Sequence, residues 1–169
     1  MFLNPEQLSI IQSREMGIWP PSDLTATSMY PYIKRMPNKV NILDVGTMKG
    51  ENAYRYIELD EKNKIDTIFS IKTTDEYNDL VDTNLKAHYG KVIMMEPKEP
   101  VDLVCINSNT DLDNTIKKYY DLVKSNGIFC GNNHSDSKVK DALNKFRREN
   151  RIGTPISVAY DTWFWWVRR

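Results

Sequence analysis

From Lys39 to the end of the chain, short apolar runs alternate with longer amphipathic stretches. Val40–Val45, Asp66–Ile71, Lys91–Met95, Val101–Ile106 and Gly127–Gly131 have the length and composition of buried strands. Helical patterns separate them. Glu51–Glu61 turns Ala53, Tyr56, Ile57 and Asp60 to one side, and Asp75–His88 does the same with Leu80, Val81, Asn84 and Leu85. Asp111–Lys124 presents Leu112, Ile116, Tyr119, Tyr120 and Val123. Asp136–Asn150 carries Val139, Ala142, Leu143 and Phe146 at the spacing of one helical face. Pro155–Tyr160 and Trp163–Arg168 follow as two strands with little more than Asp161-Thr162 between them.

Strands alternating with helices imply right-handed crossovers and a mainly parallel sheet covered on both faces. The last two strands leave no room for a crossover helix, so they pair as an antiparallel hairpin. The expected fold is α/β: a Rossmann-like, mostly parallel seven-stranded sheet with a C-terminal antiparallel hairpin and helices on both faces. Ligands of such sheets sit at the carboxyl ends of the strands, near the switch in strand order. Residues 1–37 read differently, as a helical segment ahead of a domain spanning 38–169. Asn4-Pro5 opens a helix with Leu8, Ile11 and Met16 on one face, and Gly17 and Trp19-Pro20-Pro21 end it. Ser22 caps a second stretch that Pro31 breaks or restarts. This segment is expected to lid a ligand or shape the substrate side.

Composition narrows the partners. The 169 residues hold 23 Lys+Arg against 23 Asp+Glu, and 40% are hydrophobic, which excludes a disordered chain and argues against a general nucleic-acid binder. No apolar run approaches the roughly 20 residues of a membrane span. The N-terminal residues lack the pattern of a signal peptide. Cys105 and Cys130 fit no metal or redox spacing and read as buried residues at matching depths on adjacent strands. A reduced, cytoplasmic protein without a metal or a membrane partner is the expectation.

The strongest local signal is Asp44-Val45-Gly46-Thr47-Met48-Lys49-Gly50-Glu51-Asn52, which follows a strand and opens a helix. Glycines there let backbone approach a ligand, and the helix N-terminus offers free N–H donors. The segment Ile42–Asn52 resembles motif I of the class I S-adenosylmethionine-dependent methyltransferases, in the acidic-x-Gly-Thr-x-x-Gly form of small-molecule O-methyltransferases. Further blocks match in order. Val101–Thr110 resembles the fourth strand of that family, Leu122–Phe129 the turn into strand five, Val139–Phe146 the next helix and Asp161–Val167 the closing strand. The resemblance implies the methyltransferase fold over about Lys39 to Arg169 and S-adenosylmethionine as cofactor. It gives Gly46, Thr47, Gly50 and Asn52 the methionine end and Asp44 the cofactor's amino group. It sets Lys72 and Asp75 near the ribose or adenine, and Asn107 and Asn109 beside the methyl-transfer space.

The departures concern charge. The family places an acidic residue at the end of strand two, where it accepts hydrogen bonds from the ribose; this chain has Lys72, and lysine accepts none. The family's Asp-Gly-Asp-His block reads Asn107-Ser108-Asn109-Thr110, and its Gly-His-Asp-Tyr reads Gly131-Asn132-Asn133-His134. Asparagine is a poor substitute where a divalent cation wants charged oxygen ligands. A relaxed site would leave a binding or interaction module, and a changed ligand would be an anion such as a phosphorylated nucleotide, which fewer negative charges and an added lysine suit; a retained cofactor site is favoured, because Gly46, Thr47, Gly50 and Asn52 keep the roles that the resemblance gives them at the amino-acid end of the cofactor.

The remaining candidates are weighed against ordinary roles. His134, beyond strand five on the functional rim, is the candidate general base for a hydroxyl or amine, beside Asn107 as the other catalytic candidate. His88, ending a helix, reads as a surface residue. Trp163, Trp165 and Val167 fall on one strand face, Phe164, Trp166 and Arg168 on the other, and read as core, with any exposed part free to pack on a second copy. Lys140, Arg147, Arg148 and Arg151 share a helical face that reads as solvated. The function expected is methyl transfer to a small molecule.

Overall fold

A computed structural model describes residues 25–46, 50–73, 85, 88, 90–107 and 111–169. The expected helix at Asn4–Gly17, Ser22, Trp19 and most of the Asp75–His88 helix lie outside the described residues. The elements are α1 (Thr25–Ile33), β1 (Val40–Val45), α2 (Glu51–Leu59), β2 (Ile65–Ile71), β3 (Val92–Ile93), β4 (Val101–Ile106), α3 (Leu112–Tyr120), β5 (Val123–Gly131), α4 (Ser137–Glu149), β6 (Ser157–Ala159) and β7 (Thr162–Trp166). The strands form one sheet in the order β3-β2-β1-β4-β5-β7-β6. All neighbours are parallel except β7, which runs antiparallel to β5 and β6. The order reverses at β1 and β4, which makes their carboxyl ends the switch point.

Each face of the sheet carries its own core. On one, Ala26, Met29 and Ile33 of α1 and Ala53 and Tyr56 of α2 cover Ile42, Leu103, Cys105, Cys130 and Phe164. On the other, Ile116 and Tyr119 of α3 and Val139, Leu143 and Phe146 of α4 cover Leu43, Val104, Phe129, Trp163 and Trp165. The tryptophans divide between faces as strand alternation requires. Trp163 and Trp165 are stacked with centroids 5.5 Å apart, while Trp166 joins Tyr32 on the α1 side. Cys105 and Cys130 sit opposite each other in register, buried and free.

Four local expectations are corrected. Pro31 does not break its helix: α1 runs through it to Ile33, because Thr27 and Pro31 both lie on the exposed side, where a carbonyl deprived of its N–H partner meets water. Val123 starts β5 rather than ending α3. Tyr119 O accepts from Leu122 N at 3.1 Å, and Val101 N–H then takes Leu122 O at 2.7 Å, which puts Val123 beside Val101. The register shifts before Leu103 pairs with Ile128, and Asn126 takes φ 67° in the irregularity. Arg147 is half-buried rather than solvated, its guanidinium 4.8 Å from the Trp165 ring and its Nη2 donating to Thr154 O. Burial pulls its pKa down. His88 is also half-buried, edge-on to Tyr54 at 5.5 Å.

Candidate functional site

Asp44 lies one residue before the end of β1 and is fully buried, flanked in register by Ser70 of β2 and Cys105 of β4. The chain leaves the strand through Gly46 at φ 81°, whose N–H donates to Ile71 O at 2.9 Å. It enters α2 through Gly50 at φ 86°, a left-handed backbone that suits glycine. A Cβ on Gly50 would also lie 3.0 Å from the Leu85 side chain. Gly50 is the N-cap residue of α2 and has no side chain with which to cap it, and the start of the helix lies at the carboxyl-end rim of the sheet.

Asn52, in that first turn, is buried, and its Oδ1 accepts the backbone N–H of Ala26 at 3.1 Å. Asn107 follows β4 and is held from three directions. Its backbone N–H donates to Val45 O at 2.8 Å, its Nδ2 donates to Asp44 Oδ1, and its Oδ1 accepts Thr25 Oγ1 at 3.1 Å and Cys105 Sγ at 3.2 Å. Asp44, Asn52 and Asn107 therefore meet around the start of α1.

Lys72 follows β2 and lines a cavity of about 330 Å³ with Ser70, Met94, Met95 and Glu96. The Lys118 ammonium, 2.7 Å from Glu96, lowers the pKa of that carboxyl. His134 lies on the same rim, three residues past β5, in a loop tied down by Asp161. The Asp161 carbonyl accepts His134 N–H at 3.0 Å, and its carboxylate accepts the N–H and hydroxyl of Ser135 at 2.7 and 3.1 Å. Thr47, Asp75 and Asn109 lie outside the described residues.

Beneath the rim, burial pushes the Tyr56 hydroxyl and the Cys130 thiol well above their usual pKa values. Both stay neutral, so the Cys130 thiol does not behave as an activated nucleophile. Thr25 and the Ala26 backbone are the site members that the sequence reading did not find. The signal was slight: Thr25 is a polar residue on the face that buries Ala26, Met29 and Ile33.

No family model and no curated protein matches this sequence. Solved structures match it in fold. The precorrin-6y C5,15-methyltransferase of Geobacter metallireducens superposes with TM-score 0.63 at 16% identity over 82% of this chain and 86% of that one. The O-methyltransferase TomG of Streptomyces achromogenes, in complex with S-adenosylmethionine, gives 0.62 at 12% identity over 99% and 91%. A Bacillus cereus O-methyltransferase in complex with S-adenosylhomocysteine gives 0.57 at 12% identity over 97% and 99%. The chain has the class I methyltransferase fold. In this methyltransferase fold Asp44, Gly46, Gly50, Asn52 and Asn107 occupy the switch point between β1 and β4. The names of the similar proteins place their methyl groups on carbon in one case and oxygen in others, so the fold does not dictate the acceptor.

Proposed function

We propose that this chain transfers a methyl group from S-adenosylmethionine to a small molecule, at oxygen or nitrogen. The β1–α2 connection carries the reading: two left-handed glycines and a helix start with glycine at its N-cap lie beside a buried carboxylate, at the switch point of the sheet. These groups fit the methionine end of the cofactor. The first-turn N–H groups of α2 suit its carboxylate, and Asp44 accepts from its ammonium directly or through water. The cofactor supplies an electrophilic methyl group on a sulfonium. The protein's part is to orient the acceptor and exclude water, which accounts for much of such a rate without a metal. His134 is the group that takes the acceptor's proton. The cofactors held by the two O-methyltransferases of the same fold support this choice.

A second reading, a non-catalytic binding module of the same fold, is favoured by one observation. The side-chain oxygens of Asn52 and Asn107 already accept hydrogen bonds from α1. Calorimetric titration with S-adenosylmethionine and S-adenosylhomocysteine separates the two. Saturable binding of both is expected; binding of neither at about 1 mM overturns the methyl-transfer reading.

A further inference from the structure

The opposite rim of the sheet carries a second cavity, of about 380 Å³, between the C-terminal end of α1 and the end of β7. That volume is in the range of small-molecule sites, roughly 300–1,000 Å³. Its walls are aromatic and its charges are all positive. Tyr32 and Trp166 lie edge-to-face with centroids 6.4 Å apart, both half-buried. The Arg168 guanidinium sits 5.7 Å from the Trp166 ring and is fixed by donating one N–H to Asn126 Oδ1. Asn126 is itself pinned in a left-handed conformation, with its N–H on Val167 O at 2.7 Å. Arg35, Met36 and Pro37 complete the lining, which among the described residues includes no carboxylate.

A larger cavity on the same rim, of about 510 Å³, shares Arg168 with this one and mixes Lys117, Arg151 and Arg169 with Asp121 and Glu149. There the cations have acidic neighbours and the C-terminal ends of α3 and α4 to complement. Arg168 uses one of its five donors on Asn126, and among the described residues the others meet no acceptor. The half-buried rings of Trp166 and Tyr32, inclined at 77° to each other, offer an apolar corner beside it.

We propose that this cavity binds a small planar aromatic anion, its ring against Trp166 and Tyr32 and its acidic group on Arg168 and Arg35. A guanidinium held by a neighbouring amide and an aromatic ring is pre-organised, so ligand binding orders little. The acidic group is a carboxylate or a phosphate, and either would accept from guanidinium N–H groups.

The test uses the full chain, isotopically labelled, with the indole N–H signals followed by NMR and the Trp166 signal assigned from Trp166→Phe. Indole-3-acetate and 1-naphthyl phosphate are the acidic probes; indole-3-ethanol and 1-naphthol are their neutral counterparts. At least one acid is expected to shift the Trp166 signal saturably, and to bind about tenfold or more tightly than its neutral partner. Which acid does so tells carboxylate from phosphate. Arg168→Gln is expected to weaken that acid about tenfold, and Arg35→Gln, at an exposed position, provides the same comparison without disturbing the fold. Equal binding of acid and neutral partner overturns the proposal, as does a Trp166 signal unmoved by both acids at about 10 mM, or affinity unchanged in both arginine variants.

Discussion

The Asn107 side-chain amide donates to the Asp44 carboxylate across the ends of β4 and β1, and both residues are buried. An amide can donate where a carboxylate could only repel, so the asparagine is matched to the aspartate beside it. Asn107→Asp should therefore place two carboxylates in contact out of water, where only one ionises readily. A loss of about 3 kcal/mol in urea unfolding at pH 7 is expected. The loss should shrink as pH falls, because the native state then binds the extra proton more tightly than the unfolded chain. Wild-type stability in this variant would remove the contact.

The start of α1 is held by side chains from elsewhere: Thr25 by Asn107 and the Ala26 N–H by Asn52. Thr25→Val and Asn52→Ala should each cost about 1 kcal/mol. Amide exchange should rise over Thr25–Ile33 in both variants while β4 and β5 keep their protection.

Gly131 ends β5 where a Cβ would fall 2.3 Å from Trp163 Cζ2 and 2.6 Å from Ile106 O. Neither the buried indole nor the strand carbonyl has room to yield. Gly131→Ala should cost about 3 kcal/mol in thermal or chemical unfolding. Gly153, where a Cβ meets nothing within 4 Å, is the control, and Gly153→Ala should stay within about 0.5 kcal/mol of the parent.

Stability should fall as pH rises above about 9. Burial holds the Cys130 and Tyr56 protons well above their usual values, and burial followed by the Asp60 hydrogen bond raises Tyr30 to about 12. In that range the unfolded chain has released protons that the native state keeps, so alkali favours unfolding. A melting temperature that declines from pH 9 to 11 checks this, and Tyr30→Phe with Cys130→Val should flatten the decline. No decline in the parent would contradict the burial of these groups.

Lys72 stands where a ribose-binding carboxylate is expected, beside Ser70 and the Met94–Met95 wall. Lys72→Asp should tighten S-adenosylmethionine binding about tenfold, by supplying a charged acceptor for two hydroxyls. Calorimetry on both proteins decides it; unchanged or weaker binding would show that the ribose does not reach Lys72.

The tail shows how much was legible without coordinates. Alternation alone put Trp163 and Trp165 on one face and Phe164 and Trp166 on the other, and the two cores divide them the same way. The turn at Gly46 and Gly50 and the facing of Cys105 by Cys130 were likewise readable, because strand period and glycine chemistry are local properties. The start of β5 was misplaced because Val123 suits a helix stripe and a strand equally well. Only its pairing with Val101 chooses between them.

The sequence by itself determined the order of strands and helices, the doubly covered sheet and the position of the switch-point turn, since these follow from periodicity and connection length. Only the tertiary structure decided which groups meet at the rim. Thr25 and Asn107 are 82 residues apart, and Ala26 and Asn52 are 26 apart. No local pattern encodes either bond. They exist because α1 and α2 pack side by side on one face of the sheet, bringing donors and acceptors out of water together, where each must find a partner.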